Sequence, residues 1–473
     1  MSGTQSISGL VSGLDTTSII SQLMQLESQP QQLLQQKQTA TQNLITALQS
    51  LNTKVGSLGD AATTAATASS WQALTASSSD SSVTATATST GSPAAITFAV
   101  NQTAQTQVSL VSSTSVADLL LGNGSLTFTG ANNATTTVST NGLTSADAIA
   151  QAINGSAAGV NAVAVQVSGG YQLQLTAKTS GAAGAFQTSV TANDGTGTMV
   201  TTGVVSAVAA RDAQITLWPG ATNPDGTSAA STVTSATNTF TNVLPGLTFT
   251  VSQPTTSNVT VSTSRDDTAL TKLGSDLVGQ LNLVLGEITS QTASTTTTAA
   301  DGTTNITPGI LGNESDVLFL QNAVSDAGSG AVTYNGQLVS PSSVGIVVNS
   351  DGTFTFDQKA FAASLQADPV QTQAVVSAIA QRVQSVATTY SDPTQGLITS
   401  NIAMQQSTVQ DLGNQISDWS VQLQLRQQSL EQQYSAMETS LSQLQSQSSY
   451  LTSVLGSIGT SSTSSSSSSS KSA

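Results

Sequence analysis

The chain has 473 residues, of which only 7% are charged, with a formal net charge of -15; an average soluble protein is about 25% charged. An acidic, charge-poor surface excludes nucleic acid as a partner, because a phosphate backbone needs a basic footprint. The absence of Cys and His excludes disulfides, thiolate metal sites and every Ser-His-Asp or Cys-His arrangement, so neither an enzyme nor a bound cofactor or metal is expected.

No apolar run approaches the ~20 residues of a membrane-spanning helix, so membrane insertion is not expected. The opening MSGTQSISGL has no basic n-region and no continuous h-region, which argues against a secretory signal peptide.

From Leu14 to about Leu58 the pattern is helical. Asp15 is a good N-cap before Ile19, Ile20, Leu23, Met24 and Leu26, which share one broad face. Pro30 is expected to kink or end that helix, since its ring removes an amide donor and crowds the preceding turn. Leu44, Leu48, Leu51, Val55 and Leu58 then form a heptad stripe.

From about Ser77 to Asp267 the period changes to two, as in ITFAVNQ, YQLQLTA and GLTFTVSQ. Such alternation, punctuated by Gly, Asn and Pro, predicts half-buried antiparallel strands. One helix is expected inside this region, over Thr144–Asn154, capped by Thr144 or Ser145. Asp266 and Asp267 are adjacent carboxylates, better read as caps of the helix that follows through Leu270, Leu277 and Leu285 than as acid–base machinery.

The polar stretch SQTASTTTTAADGTTNITPG predicts a loop. NESDVLFLQNAV predicts a helix capped by Asn313, and VGIVVNSDGTFTFD a hairpin with Asp351-Gly352 at its tip. NSDGT and NPDGT lack the closing Glu of a calcium loop and predict turns. Ser468 and Lys471 match a Ser-x-x-Lys spacing by chance inside a Ser tract, and Asn-x-Ser/Thr matches such as Asn154 and Asn258 carry little weight.

The last region is the most regular. Ile402, Val409, Ile416, Leu423, Leu430, Met437, Leu444 and Leu451 fall seven apart, accompanied by Leu412, Trp419, Tyr434, Leu441 and Leu455. Strict sevens over this length predict a left-handed supercoil with partner helices, in a helix reaching roughly 80 Å. The seam is rich in Gln, either as an adaptable hydrogen-bonding surface or simply as a good helix former. The closing GTSSTSSSSSSSKSA predicts a disordered tail. Both chain ends are thus amphipathic helices and the β-rich region lies between them. The C-terminal seam is too long for one short, proline-broken partner, which points beyond an ordinary intramolecular pair to packing between subunits.

Five stretches together resemble the flagellar filament cap family, also called hook-associated protein 2. They are ISGLVSGLDTTSIISQLMQLESQPQQLL with Glu27 and Pro30; the helix-plus-strands repeat LTSADAIAQAINGSAAGVNAVAVQVSGGYQLQLTAKTSG; SATNTFTNVLPGLTFTVSQPTTSNVTVSTSRD with its Leu244-Pro245-Gly246-Leu247-Thr248 signature; GIVVNSDGTFTFDQKAFAASLQADPVQTQAVVS, with a helix running to Asp368-Pro369-Val370; and LEQQYSAMETSLSQLQSQSSYL, with Tyr434 where Phe is common. The segment LGNESDVLFLQNAV departs from the family, which usually has Gly-Asp and a basic residue there.

The resemblance implies an α+β multidomain protein with a leg of terminal coiled-coil helices and inserted antiparallel β-rich domains. The expected division is a leg of 1–43 paired with 432–473, a mixed domain of 44–76 and 268–431, a β-domain of 77–108 and 207–267, and an outer β-rich domain of 109–206. It implies a homo-oligomeric ring, most often described as five-fold, at the extracellular tip of the flagellum. Its partners would be flagellin, hook–filament junction proteins and, before export through the flagellar type III channel, a chaperone. The interface would be carried by Ile19, Leu23, Leu26, Leu430, Tyr434, Met437, Leu441, Leu444, Leu451 and Leu455. An intramolecular coiled coil would join Leu44, Leu48, Leu51, Val55 and Leu58 to Ile402, Val409, Ile416, Trp419 and Leu423. The alternatives are a surface adhesin using the β-domains, for example on mucin, and another axial component such as a junction protein or a flagellin.

Overall fold

The computed structural model describes residue 13 and residues 15–122, 124–193 and 198–461. The first twelve residues, Leu14 and the Ser-rich tail, on which several of the expectations above fall, lie outside them.

Among the described residues the helices are α1 (Thr16–Glu27), α2 (Gln29–Ala66), α3 (Ser113–Leu120), α4 (Ala146–Asn154), α5 (Asp267–Thr292), α6 (Ser315–Ser329), α7 (Gln358–Ala367), α8 (Pro369–Ser391) and α9 (Leu397–Ser461). The strands before α5 are β1 (Leu74–Ser78), β2 (Val83–Ala87), β3 (Ala94–Gln102), β4 (Val108–Val111), β5 (Ser125–Gly130), β6 (Thr135–Ser139), β7 (Val160–Val167) and β8 (Gly170–Ala177). They continue with β9 (Phe186–Asn193), β10 (Met199–Gly203), β11 (Val205–Val208), β12 (Ala213–Leu217), β13 (Ser231–Ser235), β14 (Thr239–Thr241), β15 (Leu247–Val251) and β16 (Val259–Arg265). Three short hairpins follow α5: β17 (Thr295–Thr298) with β18 (Thr304–Thr307), β19 (Val332–Tyr334) with β20 (Gln337–Val339), and β21 (Ile346–Val348) with β22 (Phe354–Phe356).

The chain divides into two compact units. One holds the described residues of Met1–Thr64, Ser275–Ser364 and Ala374–Ala473; the other holds those of Ala65–Gly274 and Leu365–Gln373.

The β-rich unit contains two separate cores. A five-stranded antiparallel sheet, β1-β16-β3-β12-β13, and a three-stranded sheet, β14-β15-β2, share the first. The alternation read from the sequence puts Ile96, Phe98 and Val100 inside along β3 and Leu247, Phe249 and Val251 inside along β15. The rings of Phe98 and Phe249 stack at 4.6 Å, and Phe240 lies 5.4 Å from Phe249. The Leu244-Pro245-Gly246-Leu247 signature is a turn closed by the Leu247 amide donating to the Leu244 carbonyl at 3.0 Å. Gly246 sits at φ +75, and a Cβ there would lie 2.5 Å from the Gly91 nitrogen. Both the left-handed conformation and the close approach require glycine.

The second core is built by two four-stranded sheets, β10-β9-β5-β6 and β11-β4-β8-β7, with α3 and α4. Ser145 caps α4, accepting from the Ala148 amide at 3.1 Å. Ala146, Ile149, Ala150 and Ile153 form its buried face at the spacing of a helical stripe.

In the helical unit, Leu48, Leu51, Val55 and Leu58 of α2 are fully buried, as are Leu277, Leu281 and Ile288 of α5 and Val376, Ile379 and Val383 of α8. Ser50 and Lys54 of α2 both bond the carboxylate of Glu287 on α5. Thr63 receives a bond from Gln384 of α8, and a Cβ on Gly59 would lie 3.1 Å from Ala387. The hairpin over Ile346–Phe356 is formed as expected, with Gly352 at φ 82 in its turn.

Several local expectations are corrected. The Thr-rich stretch after α5 is a hairpin, β17 with β18, rather than a loop, because Asp301-Gly302-Thr303 closes a tight turn in which the Asp301 side chain accepts from the Thr303 amide at 2.9 Å. α6 starts at Ser315 with Glu314 at its N-cap and no side-chain cap bond, so Asn313 does not cap it. Asp266 alone caps α5, accepting from the Ala269 amide at 2.9 Å, while Asp267 pairs with Arg265. The helix expected to run to Asp368-Pro369 is present as α7, ending at Ala367, and a further helix starts directly after it: Asp368 accepts from the Gln371 amide at 2.9 Å and Pro369 opens α8.

Candidate functional site

The terminal helices of the helical unit are the candidate site. Asp15 caps α1 as expected, its carboxylate accepting from the Ser18 amide at 3.0 Å. Between α1 and α2 the backbone stays helical at Ser28, whose amide donates to the Met24 carbonyl at 2.9 Å while its own carbonyl accepts from the Gln32 amide at 3.1 Å. The run is broken at Ser28, and Pro30, which has no amide to give, sits in the first turn of α2.

α9 is a single helix of 65 residues, about 98 Å long. The N-terminal helices lie along it in opposite direction. Gln38 donates to the Val409 carbonyl at 3.3 Å, and Gln31 donates to the Ile416 carbonyl at 3.3 Å and to the Ser420 hydroxyl at 2.6 Å. Glu27 accepts from the Arg426 guanidinium at 2.9 Å. Gln31 and Gln38 are seven residues apart, as are Ile416 and Val409, so one heptad repeats the same contact. A Cβ on Gly413 would lie 3.3 Å from the Gln38 amide nitrogen, so the small residue lets the Gln seat against the α9 backbone. The ion pair joins half-exposed groups and contributes about 0.2–1 kcal/mol. The side-chain amides fix the register.

These contacts place residues 27–38 against 409–426, upstream of the 432–473 stretch expected to face the N-terminal leg. Leu48, Leu51, Val55 and Leu58 are buried on α2, and Leu44 is half-buried. Ile402, Val409, Ile416, Trp419 and Leu423 are half-buried along α9, with Leu412 fully buried among them.

Further along α9, burial fades. Leu430 is 6% exposed; Tyr434, Met437 and Leu441 are half-buried; Leu444, Leu451 and Leu455 are 60%, 59% and 67% exposed. On α1, Ile20 is buried and Ile19 half-buried, whereas Leu23 and Leu26 are exposed. Among the described residues, a heptad stripe that is covered at one end and bare at the other has outrun its intramolecular partner. Sequence reasoning missed the bridging roles of Gln31, Gln38 and Gly413. The seven-residue spacing of the two glutamines was the available signal.

Among the described residues no group of three His, Cys, Asp or Glu could hold a metal ion, and no helix is long and apolar enough to cross a membrane. The two Asp-Gly-Thr loops considered for calcium are turns: Asp225 and Asp351 each accept from the amide and hydroxyl of the following Thr227 or Thr353. Those bonds, the hydroxyl one foremost, lower both carboxylate pKa values.

Residues 210–446 match the family described as "Flagellar hook-associated protein 2 C-terminus", residues 12–107 the corresponding N-terminus, and residues 125–179 the "Flagellin hook IN motif". No curated protein matches the chain significantly. The D1-D2-D3 domains of the flagellar cap protein FliD from Escherichia coli share the fold, with a TM-score of 0.56 at 21% identity over 75% of this chain and 99% of that one. The D2-D3 domains of FliD from Serratia marcescens align at 26% identity over 37% of this chain and 95% of that one, with a TM-score of 0.30. FliD from Pseudomonas aeruginosa PAO1 aligns at 20% identity over 45% and 97%, with a TM-score of 0.34.

Proposed function

The chain belongs to the flagellar hook-associated protein 2 family, and on that premise we propose that it caps the distal tip of a bacterial flagellar filament, promoting insertion of exported flagellin and preventing its loss. The observation that carries this reading is the bare end of the α9 stripe. Leu444, Leu451 and Leu455 keep about 60% or more of their surface in water, on a helix whose seven-residue period demands a partner. Covering each of them is worth about 1–2 kcal/mol, enough together to dock a leg on neighbouring subunits or on flagellin. Leu23 and Leu26 extend the same kind of surface on α1.

In this reading the cap is a homo-oligomeric ring. Residues 1–43 and 432–473 form its legs, residues 44–76 and 268–431 a mixed domain, and the segments 77–108 with 207–267 and 109–206 its β-domains. Its partners are flagellin, the hook–filament junction and an export chaperone, and the chain leaves the cell through the flagellar export channel.

Deleting the gene and following flagellin tests the proposal. Flagellin shed as monomer into the medium, with bare hooks on the cells, is the expected outcome. Filaments of normal length with unchanged motility would overturn it.

A further inference from the structure

Among the described residues the strands carry one charged side chain, Arg265 at the end of β16. Proteins commonly keep sheet edges from pairing with foreign strands by placing Lys, Pro, inward charges or bulges on them. Here charge is not used, and the edges of the sheet β11-β4-β8-β7 show what replaces it. β11 carries a register shift between Ser206 and Val208. β7, at the other edge, is eight residues of VNAVAVQV with no charge, no proline and an unbroken register with β8. Val163 and Val165 on it are exposed. By composition and length it is the kind of edge that recruits another strand.

One side chain interrupts it. Asn154, the last residue of α4, accepts from the Ala162 amide at 2.6 Å and donates to the Ala162 carbonyl at 2.9 Å. Backbone groups alternate sides along a strand, so the amides and carbonyls of Ala164 and Gln166 face the same open side as those of Ala162. We propose that the Asn154 carboxamide is an edge guard, standing in for a fifth strand at Ala162 and closing β7 to strand addition by a second copy of this chain.

A primary amide offers the donor and acceptor of a peptide group, so it satisfies both backbone groups of Ala162, and a further strand finds neither of them free. With Ala162 occupied, the open edge shrinks from the eight residues of β7 to Ala164–Val167. The same two-bond clamp occurs at Gln107 on Phe186 and at Asn282 on Phe354, so the chain uses it repeatedly. The partner that an unguarded edge would take is a second β7, because two uncharged VNAVAVQV strands meet antiparallel with no like-charge repulsion.

The test uses the full chain carrying Asn154→Ala, alone and combined with Ala164→Pro. The Ala164 amide faces the open side, so proline there removes no bond to β8 and blocks only an added strand. In Asn154→Ala the Ala162 amide is expected to exchange roughly five-fold faster, as for one lost hydrogen bond, while the amides of Leu173 and Val190 in interior strands stay protected. Light scattering and thioflavin T fluorescence should then grow with protein concentration, and Ala164→Pro should return both to the wild-type course. Faster exchange at Ala162 with unchanged scattering overturns the proposal, as does association that Ala164→Pro fails to suppress. Loss of protection at Leu173 and Val190 as well would make Asn154 a fold clamp and also overturn it.

Discussion

Leu430 and Leu444 lie on the same heptad stripe of one helix, two repeats apart, yet substituting them should have opposite consequences. Leu430 is 6% exposed, and Leu444, Leu451 and Leu455 are about ten times more so. Leu430→Gln removes a buried apolar side chain and strands a polar one, which costs the folded chain about 2–5 kcal/mol. The triple substitution of Leu444, Leu451 and Leu455 by Gln replaces surface residues with a good helix former and should leave stability within about 0.5 kcal/mol per site. Its cost appears only on assembly. About 60% of each side chain remains to be covered, so the three forfeit about 3–5 kcal/mol at an interface, which is about two to four orders of magnitude in affinity.

Two assays separate the effects. Denaturant unfolding of the purified chain reads stability; flagellin released into the medium, with filament length by electron microscopy, reads assembly. The expected pattern is a destabilised Leu430→Gln chain, and a triple variant that unfolds like wild type but sheds flagellin. A triple variant that is itself destabilised by several kcal/mol would mean that the stripe is already covered within the chain. One that is stable and builds normal filaments would remove this face from the interface.

Other expectations follow from single contacts. Gln31→Ala and Gln38→Ala each remove a bond to the α9 backbone, and each should cost about 0.5–1.5 kcal/mol of docking, read as faster amide exchange in α1 and the first half of α2. Gly246→Ala forces a side chain into φ +75 and against the Gly91 nitrogen; it should destabilise the β-rich unit by more than about 2 kcal/mol, seen as a lowered denaturant midpoint. Glu287 has its pKa lowered from 4.5, chiefly by the hydrogen bond from Lys54, against the opposing effect of burial. Its stabilising contribution is therefore complete above 4.5 and is lost as pH falls through the depressed folded value. Unfolding midpoints measured down an acid series should show this loss in wild type, and Glu287→Gln should be less stable at neutral pH and flatter in acid.

The legible features were those set by local chemistry. Period two in β3 and β15, the Asp15 and Ser145 caps, the Asp351-Gly352 turn and the sevens of α9 each require only a residue and its near neighbours. The β17–β18 hairpin was missed because four consecutive threonines show no alternation, although Asp301-Gly302-Thr303 carries the same turn chemistry as Asp351-Gly352-Thr353. The α9 stripe identified a helix in need of partners, but period alone does not say where coverage stops. That depends on pairing register, which Gln31 and Gln38 fix through side-chain bonds to carbonyls of a distant segment. The same holds for α2: its heptad fits several partners, and Glu287, reached by Ser50 and Lys54, selects α5.

In a chain with 7% charged residues, much of the specificity has to come from groups that are polar without being ionised. Carboxamides supply it in three settings. Gln31 and Gln38 set the helix register, Asn154 occupies a strand edge, and Gln107 and Asn282 hold Phe186 and Phe354 by both backbone groups. Each such contact is worth only about 1 kcal/mol, but unlike an exposed ion pair it is little weakened by salt. The helix register and the strand contacts should therefore change little between low and high ionic strength. The Glu27–Arg426 pair is the exception among the contacts of α1 and α2 with α9: a salt titration that followed exchange near Glu27 should loosen it, while the Gln31 and Gln38 contacts hold. Parallel loosening at all three would mean that charge, not amide pairing, aligns these helices.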